Sequence, residues 1–412
     1  MKKKDYLSIL CIIILIVFAY LINSKSHNKP GQYVRITCNN DLIGLYPLSE
    51  NKTISLTDNT ISIKDGVVKM SNANCPDQLC KKQHPISNNG EQIICLPNKI
   101  VVSVINSSDP ISRSSIYFNT NVTVTIYDSI DEKVLDDVMK ICNNYEHICS
   151  RTNSSSELYK LNHRLINPIS CDESGECYPI SESLYNMIKI GLDYCELSNG
   201  AFDISIAPLT DLWNFSTNTN DIPTESEIEK ALEYVDYRNI VLNEDGTISL
   251  KNEHTMIDLG GLAKGYIADI IKDYLVSQGV NSATIALGGN IVCIGDKYGK
   301  PFNIGIQKPF ATNGTSIKNI SITDKSVVTS GIYERYFQKD DVIYHHLLNT
   351  KNGYPIQNDI LGITVITDKS IDGDCLSTWL FSMGSQNALE YVNNHPDIQL
   401  IIVDNNYNIL SK

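Results

Sequence analysis

The sequence predicts three parts: an apolar N-terminal helix, a small all-β domain and a large mixed α/β (α+β) domain. An uncharged apolar run covers residues 6–22. Short β-rich segments separated by turn residues follow it, and strand patterns then alternate with helical patterns to the end of the chain. We therefore assign residues 1–28 to an anchor or signal segment, 30–106 to the β domain and 112–412 to the α/β domain.

The bulk composition limits the function. The chain has 412 residues and a net charge of -13, with no Lys/Arg-rich tract to offset it. This balance excludes nucleic acid as the main partner. The 12 cysteines are many for a cytosolic enzyme and favour an oxidising location.

The N-terminus has the features of a membrane anchor. Lys2, Lys3 and Lys4 precede the apolar run, whose length is near the lower limit of about 17–25 residues for a membrane span. Positive charge before the span places the N-terminus in the cytoplasm. We expect a single-pass protein of the cell membrane with its large domain extracytoplasmic. A cleavable signal peptide remains open, because Ser24 and Ser26 supply small residues at a suitable spacing.

Two groups of cysteines suggest cross-links. Cys75, Cys80, His84 and Cys95 offer four zinc ligands, but the spacing of the first two is loose for a zinc ribbon. A disulfide between two of these three cysteines suits an exported domain better, and the sequence does not say which two. Cys171 and Cys177 are predicted to close a small disulfide loop, with two free surface thiols as the alternative.

Local patterns place further elements in the α/β domain. A polar linker is expected over residues 106–113. Helix 180–197 is expected to stop at Asn199-Gly200. A strand is predicted at 116–127 and a helix at 130–149. Two further strands, 283–287 and 291–295, are predicted to form a hairpin around Gly288-Gly289-Asn290.

A strand, a glycine turn and a helix are predicted around residues 255–275. Thr255–Leu259 is a β-branched apolar run, Gly260-Gly261 interrupts it, and an amphipathic helical pattern follows. Glycines allow close backbone approach, and the first amides of a helix attract anions. Lys264 lies in the first helical turn, where the helix dipole favours an acid. The segment therefore suggests a phosphate site, although a tight turn with a surface lysine explains it equally well. It fits neither the P-loop nor the dinucleotide-binding fingerprint.

A candidate metal site lies near the C-terminus. Asp374 and Thr378 are four residues apart in a helical pattern and so share one helical face. A carboxylate and a hydroxyl are hard oxygen donors that suit Mg²⁺. The alternative is an aspartate that caps a helix.

Several motifs together resemble the ApbE family of FAD:protein FMN transferases. The first is Asp-Leu-Gly-Gly-Leu-Ala-Lys-Gly-Tyr at 258–266, and the resemblance covers about residues 112–412. Asn349 and Thr350 replace the family's usual Asp and Pro, and Cys375 stands where the family has Ala. The other motifs lie at 156–162, 200–203, 288–290, 329–335, 345–355 and 374–378. Residues 74–99 resemble the NusG domain-II-like module that is fused to some members.

The resemblance implies a set of site residues. FAD would be held by six of them: Ala201, Phe202, Asp203, Asp258, Lys264 and His345. Mg²⁺ would be held by Asp374, Thr378 and the backbone carbonyl of Gly261. His346 would act as the general base, and Asp374 would be the second catalytic residue through the metal.

The implied reaction is Mg²⁺-dependent transfer of FMN from FAD to a Ser or Thr hydroxyl of an exported acceptor protein, with release of AMP. Acceptors would be FMN-binding subunits of the Rnf or Nqr type. Two alternatives remain: an FAD pyrophosphatase that makes FMN and AMP, and a non-catalytic exported FAD-binding electron carrier.

Overall fold

The structure, a computed structural model, describes residues 31–412 except 40, 77, 106–109, 128–131, 172–174, 216–220, 298–299 and 313. Residue contacts divide the chain into two units, one ending at Asp109 and the other beginning at Pro110. The predicted anchor, residues 1–28, lies outside the described residues. Within the described ranges, no helix has both the length and the apolar character needed to cross a membrane.

The first unit is a small β domain, as predicted. Strands β1, β2, β6 and β7 form an antiparallel sheet in the order β2-β1-β7-β6, and β3, β4 and β5 form a second antiparallel sheet. Alternate apolar residues of both sheets share one core. The bounds are β1 Tyr33–Cys38, β2 Asp41–Pro47, β3 Lys52–Ser55, β4 Asn59–Lys64, β5 Val67–Ala73, α1 Leu79–Lys82, β6 Gln92–Cys95 and β7 Ile100–Ile105.

The predicted disulfide in this unit is wrong. Cys75, Cys80 and Cys95 are free thiols. The sulfurs of Cys75 and Cys80 are 3.5 Å apart, whereas a disulfide bond is about 2.05 Å long. The three sulfurs converge on one point, so no two of them form a separate pair.

An eight-stranded antiparallel sheet, in the order β23-β22-β21-β18-β15-β14-β9-β8, is the centre of the second unit. A four-stranded sheet β10-β11-β13-β12 and the hairpins β16-β17 and β19-β20 complete its strands. Their bounds are β8 Ile111–Tyr117, β9 Thr120–Ile126, β10 Ile169–Cys171, β11 Gly175–Pro179, β12 Ile240–Leu242, β13 Thr247–Leu250, β14 Ala283–Leu287, β15 Asn290–Ile294, β16 Phe302–Gln307, β17 Ser316–Ile322, β18 Ser326–Gly331, β19 Tyr336–Lys339, β20 Val342–His345, β21 Ile360–Thr367, β22 Gln399–Asp404 and β23 Ile409–Ser411.

Helices cover the large sheet, with α7 packed on β14 and β15 and α8 on β18 and β21. The helix bounds are α2 Lys133–Cys149, α3 Glu157–Asn162, α4 Glu182–Leu197, α5 Ala207–Trp213, α6 Glu225–Leu232, a 3₁₀ turn Tyr237–Asn239, α7 Ala263–Ser277, α8 Ser370–Met383 and α9 Ser385–Asn393. Burial of the apolar faces of these helices against the sheet forms the main core.

Four local predictions need correction or remain open. The predicted strand 116–127 is a hairpin, because Phe118 and Asn119 have φ of 53° and 55° and turn the chain back. The end of the predicted linker belongs to β8. Asn290 lies in β15 opposite Leu287, so the turn of the predicted hairpin is Gly288-Gly289 alone. Cys177 is disulfide-bonded, while the side chain of Cys171 lies outside the described part, so that pairing stays a prediction.

The predicted strand at residues 255–259 is also wrong. This segment is extended but joins no sheet. Its backbone hydrogen bonds are made by other partners: the side chain of Asn162 accepts from the Ile257 amide and donates to the Ile257 carbonyl, both at 2.8 Å. Arg164 donates to the Thr255 carbonyl, and the Ile204 carbonyl accepts from the Asp258 amide. These groups together take the place of a neighbouring strand.

Candidate active site

Helices α7 and α8 cap each other. The carboxylate of Asp269 in α7 accepts hydrogen bonds from the amides of Ser370 and Ile371, at 2.8 and 2.9 Å, at the start of α8. In return, Asp374 of α8 accepts from the Gly265 amide in the first turn of α7, at 2.9 Å. Each aspartate satisfies amides that a helix N-terminus leaves without a partner. Asp374 therefore caps a helix, but this helix is α7 and not its own helix as the alternative assumed, and its predicted metal role stays a prediction.

The two helices touch where α7 has a glycine. A Cβ atom at Gly265 would lie 2.7 Å from the carbonyl carbon of Ser370 and 2.8 Å from the Cα of Ile371. These are backbone atoms, which cannot rotate away. Gly265 is therefore required for the close approach that brings Asp374 to the start of α7.

The residues of the predicted phosphate and metal sites come together at this contact. The ammonium of Lys264 is 3.4 Å from Asp374 Oδ1 and 3.2 Å from the Gly260 carbonyl oxygen. A Cβ atom at Gly261 would lie 3.8 Å from Thr378 Oγ1 and 3.0 Å from the Phe202 ring. Residues from three distant parts of the sequence thus surround one small volume.

This arrangement fits a divalent cation and a diphosphate. Asp374 is 4 % exposed, and the positive charge of the Lys264 ammonium lies 3.4 Å from its Oδ1. Thr378 adds a hydroxyl one helical turn later. The first amides of α7 and the Lys264 side chain favour anions. The site can therefore bring a negatively charged phosphate and a positive ion together.

Asp258 is oriented by an arginine that the sequence did not single out. Asp258 accepts from the Gly260 amide at 2.8 Å and lies 3.2 Å from Arg151 Nε. Arg151 also forms an ion pair with Asp211. Arg151 lies at the start of the polar loop between α2 and α3, and nothing in the local pattern links it to Asp258, 107 positions further along the chain.

The predicted flavin-contacting segment 201–203 borders the same volume, but its residues differ in what they can offer. The ring of Phe202 lies beside Gly261, and Ala201 is half-buried. Asp203 is buried, and its carboxylate accepts from the Ser205 amide and hydroxyl and from the Tyr237 amide, at 2.8, 2.7 and 3.1 Å. Burial raises the pKa of Asp203. Its oxygens serve the local fold, and its predicted flavin contact stays a prediction.

The structure does not favour the predicted flavin contact of His345. This residue is 2 % exposed. Its Nδ1 accepts from the Leu347 amide at 3.3 Å, so its Nε2 carries the proton and donates to the Ile356 carbonyl at 2.9 Å. Burial lowers the pKa of His345 to about 4. With both nitrogens bonded to backbone, His345 holds the end of β20 in place.

His346 has a free nitrogen. Its Nδ1 is 3.3 Å from the carbonyl of Arg335, which can only accept, so the proton lies on Nδ1 and the Nε2 lone pair is left for a substrate proton. Desolvation, with His345, Arg335 and Lys264 acting in the same direction, lowers the pKa of His346 to about 3. The imidazole is therefore neutral at neutral pH, as a general base must be.

The low pKa values of His345 and His346 imply that the stability of the fold decreases in acid. Their pKa values, about 4 and about 3, lie below the ordinary value of 6.5, so the unfolded chain binds more protons in mild acid. Their contribution to stability is complete above about pH 6.5 and is lost as the pH falls towards 4. Between about pH 7 and pH 4.5, the free energy of unfolding should fall in both proteins. We expect this fall to be about 1–2 kcal/mol smaller in the His346→Asn variant than in the wild type. Urea denaturation of the ligand-free proteins across this range is the measurement; parallel stability curves would contradict the low pKa of His346.

Two further motifs reach the site. Ser330 of β18 and Ser377 of α8 share a hydrogen bond of 2.8 Å, which fixes the Thr-Ser-Gly segment against α8. At the turn Gly288-Gly289, a Cβ atom on Gly289 would lie 3.2 Å from Glu334 Oε1, and the charge of Glu334 interacts with Lys264 and Asp374. Glu334 is a site residue that the sequence patterns did not indicate.

Comparison with known proteins identifies the family of each unit. Residues 118–402 match the ApbE family model, and residues 8–108 match the NusG domain II model. An FAD:protein FMN transferase of Klebsiella pneumoniae (strain 342) is 31% identical over 301 residues, which are 73% of this chain and 90% of that protein. One of Treponema pallidum (strain Nichols) is 28% identical over 311 residues, or 71% and 84% of the two chains.

Solved structures give the same result. The ApbE protein of Thermotoga maritima matches with a TM-score of 0.65 at 29% identity, over 73% of this chain and 96% of that one. The flavin transferase ApbE of Vibrio cholerae matches with a TM-score of 0.64 at 23% identity, over 74% and 96%, which supports the fold.

The fold and the grouped motifs thus define a family of transferases, and the chain belongs to the ApbE family. Its second unit is a flavinyltransferase that uses FAD, and its first unit contains a NusG domain II module. The resemblance drawn from the motifs is confirmed.

Proposed function

We propose that this enzyme transfers FMN from FAD to a Ser or Thr hydroxyl of an exported acceptor protein, in a Mg²⁺-dependent reaction that releases AMP. The observation that carries the proposal is the convergence of Lys264, Gly261 and Thr378 around the carboxylate of Asp374. A diphosphate is bound well by a cation, amide donors and a lysine at one place. This volume offers the lysine, helix amides and oxygen donors that would hold a cation.

Each part of the site has a role in the proposal. Asp374, Thr378 and the carbonyl of Gly261 would hold Mg²⁺, which neutralises charge on the diphosphate while its bridging bond breaks. Lys264 and the first amides of α7 bind the phosphate oxygens. Phe202, with Ala201 beside it, provides an apolar wall for the flavin half of FAD, and Arg151 keeps Asp258 in place next to the glycine turn.

The transfer forms one phosphorus–oxygen bond and breaks another, and it needs no reactant besides FAD and the acceptor. The acceptor hydroxyl oxygen attacks the FMN-side phosphorus, and the bond from that phosphorus to the bridging oxygen breaks. AMP leaves with the bridging oxygen, and the hydroxyl proton passes to Nε2 of His346. The product is a phosphoester between FMN and the acceptor side chain.

The location that we propose is supported by the sequence, and the acceptor by similarity to the family. The lysines before the apolar run support a single-pass anchor in the cell membrane with the catalytic unit extracytoplasmic. There the enzyme would meet exported FMN-binding subunits of the Rnf or Nqr type.

Incubation of the enzyme with FAD, Mg²⁺ and such an acceptor domain tests the proposal. The expected products are AMP and acceptor that carries covalent FMN, detected by chromatography and intact-protein mass spectrometry. AMP with free FMN in the presence of acceptor would instead identify a pyrophosphatase, and FAD bound without cleavage would identify an electron carrier. Omission of Mg²⁺ should stop AMP release, and full activity with a chelator present would refute the metal requirement.

His346→Ala is expected to slow transfer by about 10²-fold, because proton transfer by a positioned base contributes about 10²–10⁴. Added imidazole should restore part of the rate, an effect that a purely structural residue would not show. The matched control is His147→Ala, since His147 is exposed on α2 and bonds only the Asn143 carbonyl of its own helix. An unchanged transfer rate in His346→Ala would dismiss the histidine as base.

A further inference from the structure

The β domain contains a second cluster of chemically reactive side chains. Cys75, Cys80 and Cys95 are buried, with exposures of 6 %, 2 % and 1 %, and their sulfur atoms all lie within 4.8 Å of one another. They come from the loop after β5, from α1 and from the end of β6. Three elements of the domain thus direct a thiol to one point, and the flavin-transfer reaction uses none of them.

The spacing of the sulfurs suits metal coordination. Two thiolates on one metal, each at a metal–sulfur distance of about 2.3 Å, are separated by about 3.8–4.0 Å in tetrahedral or trigonal geometry. The sulfurs of Cys75 and Cys80 are 3.5 Å apart, and all three sulfurs lie within 4.8 Å of one another. This range lies well above the disulfide bond length of about 2.05 Å. The cluster has the dimensions of a thiolate shell around one ion.

Amide donors surround the cluster. The side-chain amide of Asn59 is 3.9 Å from the sulfur of Cys80 and 3.3 Å from the sulfur of Met70. Asn98 holds this amide in place, donating to Asn59 Oδ1 at 2.6 Å. The backbone amide of Asn98 donates to Cys95. N–H groups directed at sulfur stabilise thiolates, as partners around metal ligands commonly do.

The donor set favours a soft ion with few ligands. A structural zinc site has four protein ligands, whereas the described His, Cys, Asp and Glu residues contribute only three ligands here. The predicted fourth ligand, His84, is exposed and its Nδ1 lies 2.5 Å from the carbonyl of Pro85. The thioether of buried Met70 is a further soft donor in this core, and it shares the Asn59 amide with Cys80. Soft thiolate and thioether ligands suit both monovalent copper and zinc. Because the described residues supply three thiols rather than the four ligands of a structural zinc site, the set favours monovalent copper.

We propose that Cys75, Cys80 and Cys95 form a three-thiolate binding site for one monovalent copper ion in the β domain. Each copper–sulfur bond replaces an S–H bond, and the released protons pass to solvent. No change of oxidation state is involved, because the ion is bound in its reduced form. The site is independent of the flavin-transfer reaction and gives the β domain a ligand of its own.

The test uses the reduced full-length protein in detergent, without oxygen, titrated with Cu(I) against a chromogenic Cu(I) chelator. We expect one copper ion per chain to be retained by the wild type. Retention should fall at least tenfold in Cys80→Ser and in Cys95→Ser. Cys38→Ser is the matched control: Cys38 is a free, half-buried thiol of the same domain outside the cluster, so this variant should retain copper like the wild type.

X-ray absorption at the copper edge of the wild-type complex gives a test that does not depend on folding of the variants. Sulfur neighbours at about 2.3 Å, and no nitrogen or oxygen neighbours, are expected. A parallel titration with Zn(II) tests the preference for monovalent copper. The proposal would be overturned if the wild type lost its copper to the chelator, or if Cys80→Ser retained as much copper as the wild type. Displacement of Cu(I) by Zn(II) would also overturn it.

Discussion

Replacement of Asp374 by asparagine is expected to lower AMP release from FAD by about a thousandfold, because charge stabilisation at a phosphoryl group by a metal contributes several kcal/mol. Asp374→Ala should abolish cleavage altogether. Both rates are measured as AMP formed at saturating FAD and Mg²⁺, with the acceptor domain present.

The pair of variants separates the two roles of this carboxylate. Asp374 Oδ2 accepts from the Gly265 amide, and its other oxygen faces Lys264. Asparagine keeps one acceptor oxygen for the Gly265 amide but has no charge for a metal, whereas alanine loses both. We therefore expect Asp374→Asn to unfold at nearly the wild-type urea concentration, and Asp374→Ala to be about 1–2 kcal/mol less stable yet still folded.

Asp368→Asn is the control for these variants. Asp368 is exposed, lies just before α8 and pairs with Lys325 at the surface, so its loss should leave stability close to that of the wild type and AMP release unaltered. Undiminished AMP release in Asp374→Asn would show that the carboxylate acts only as a helix cap, and the metal role would be refuted.

Local sequence patterns predicted those elements whose stability is local. The helices at α4 and α7 follow an apolar periodicity, and Gly200, with φ of 76°, ends α4 as expected. The patterns failed where another segment supplies the hydrogen bonds. Thr255–Leu259 has the composition of a strand, but its backbone groups bond the side chains of Asn162 and Arg164 and the carbonyl of Ile204, all distant in the sequence. No window of neighbouring residues contains that information.

In the candidate site, too, sequence patterns predicted the local features but not the contacts between distant segments. Asp374 and Thr378 could be paired from their spacing, since both lie on one helix. Their proximity to Gly261 and Lys264 could not, because the contact between α7 and α8 joins residues about 110 positions apart; only the motif resemblance linked them. His345 shows the limit of a resemblance, because a motif position does not reveal that both ring nitrogens are bonded to backbone. Arg151, Asp269 and Glu334 act through contacts that have no sequence signature.

Gly265→Ala is expected to destabilise the protein by about 3 kcal/mol, the upper end of the range for overpacking. Helix propensity alone would predict the opposite, since alanine in a helix interior is favoured over glycine by about 1 kcal/mol. The contact between α7 and α8 outweighs helix propensity, because the new methyl group would lie 2.7 Å from the Ser370 carbonyl carbon and closer still to its oxygen. The start of α8 must then move away from α7.

That movement would also reach the active site. Asp374 is four residues beyond Ser370 on the same helix, so a shift of α8 separates its carboxylate from Lys264 and from the Gly265 amide. A displacement of about 1 Å in a catalytic group costs about 10²-fold in rate, so AMP release should fall by that factor in the fraction that remains folded. Val276→Ala, an exposed change on α7, should alter stability by less than about 0.5 kcal/mol and leave the rate unchanged. If Gly265→Ala instead proves more stable than the wild type, propensity outweighs the contact, and α7 and α8 do not approach each other as closely as the site requires.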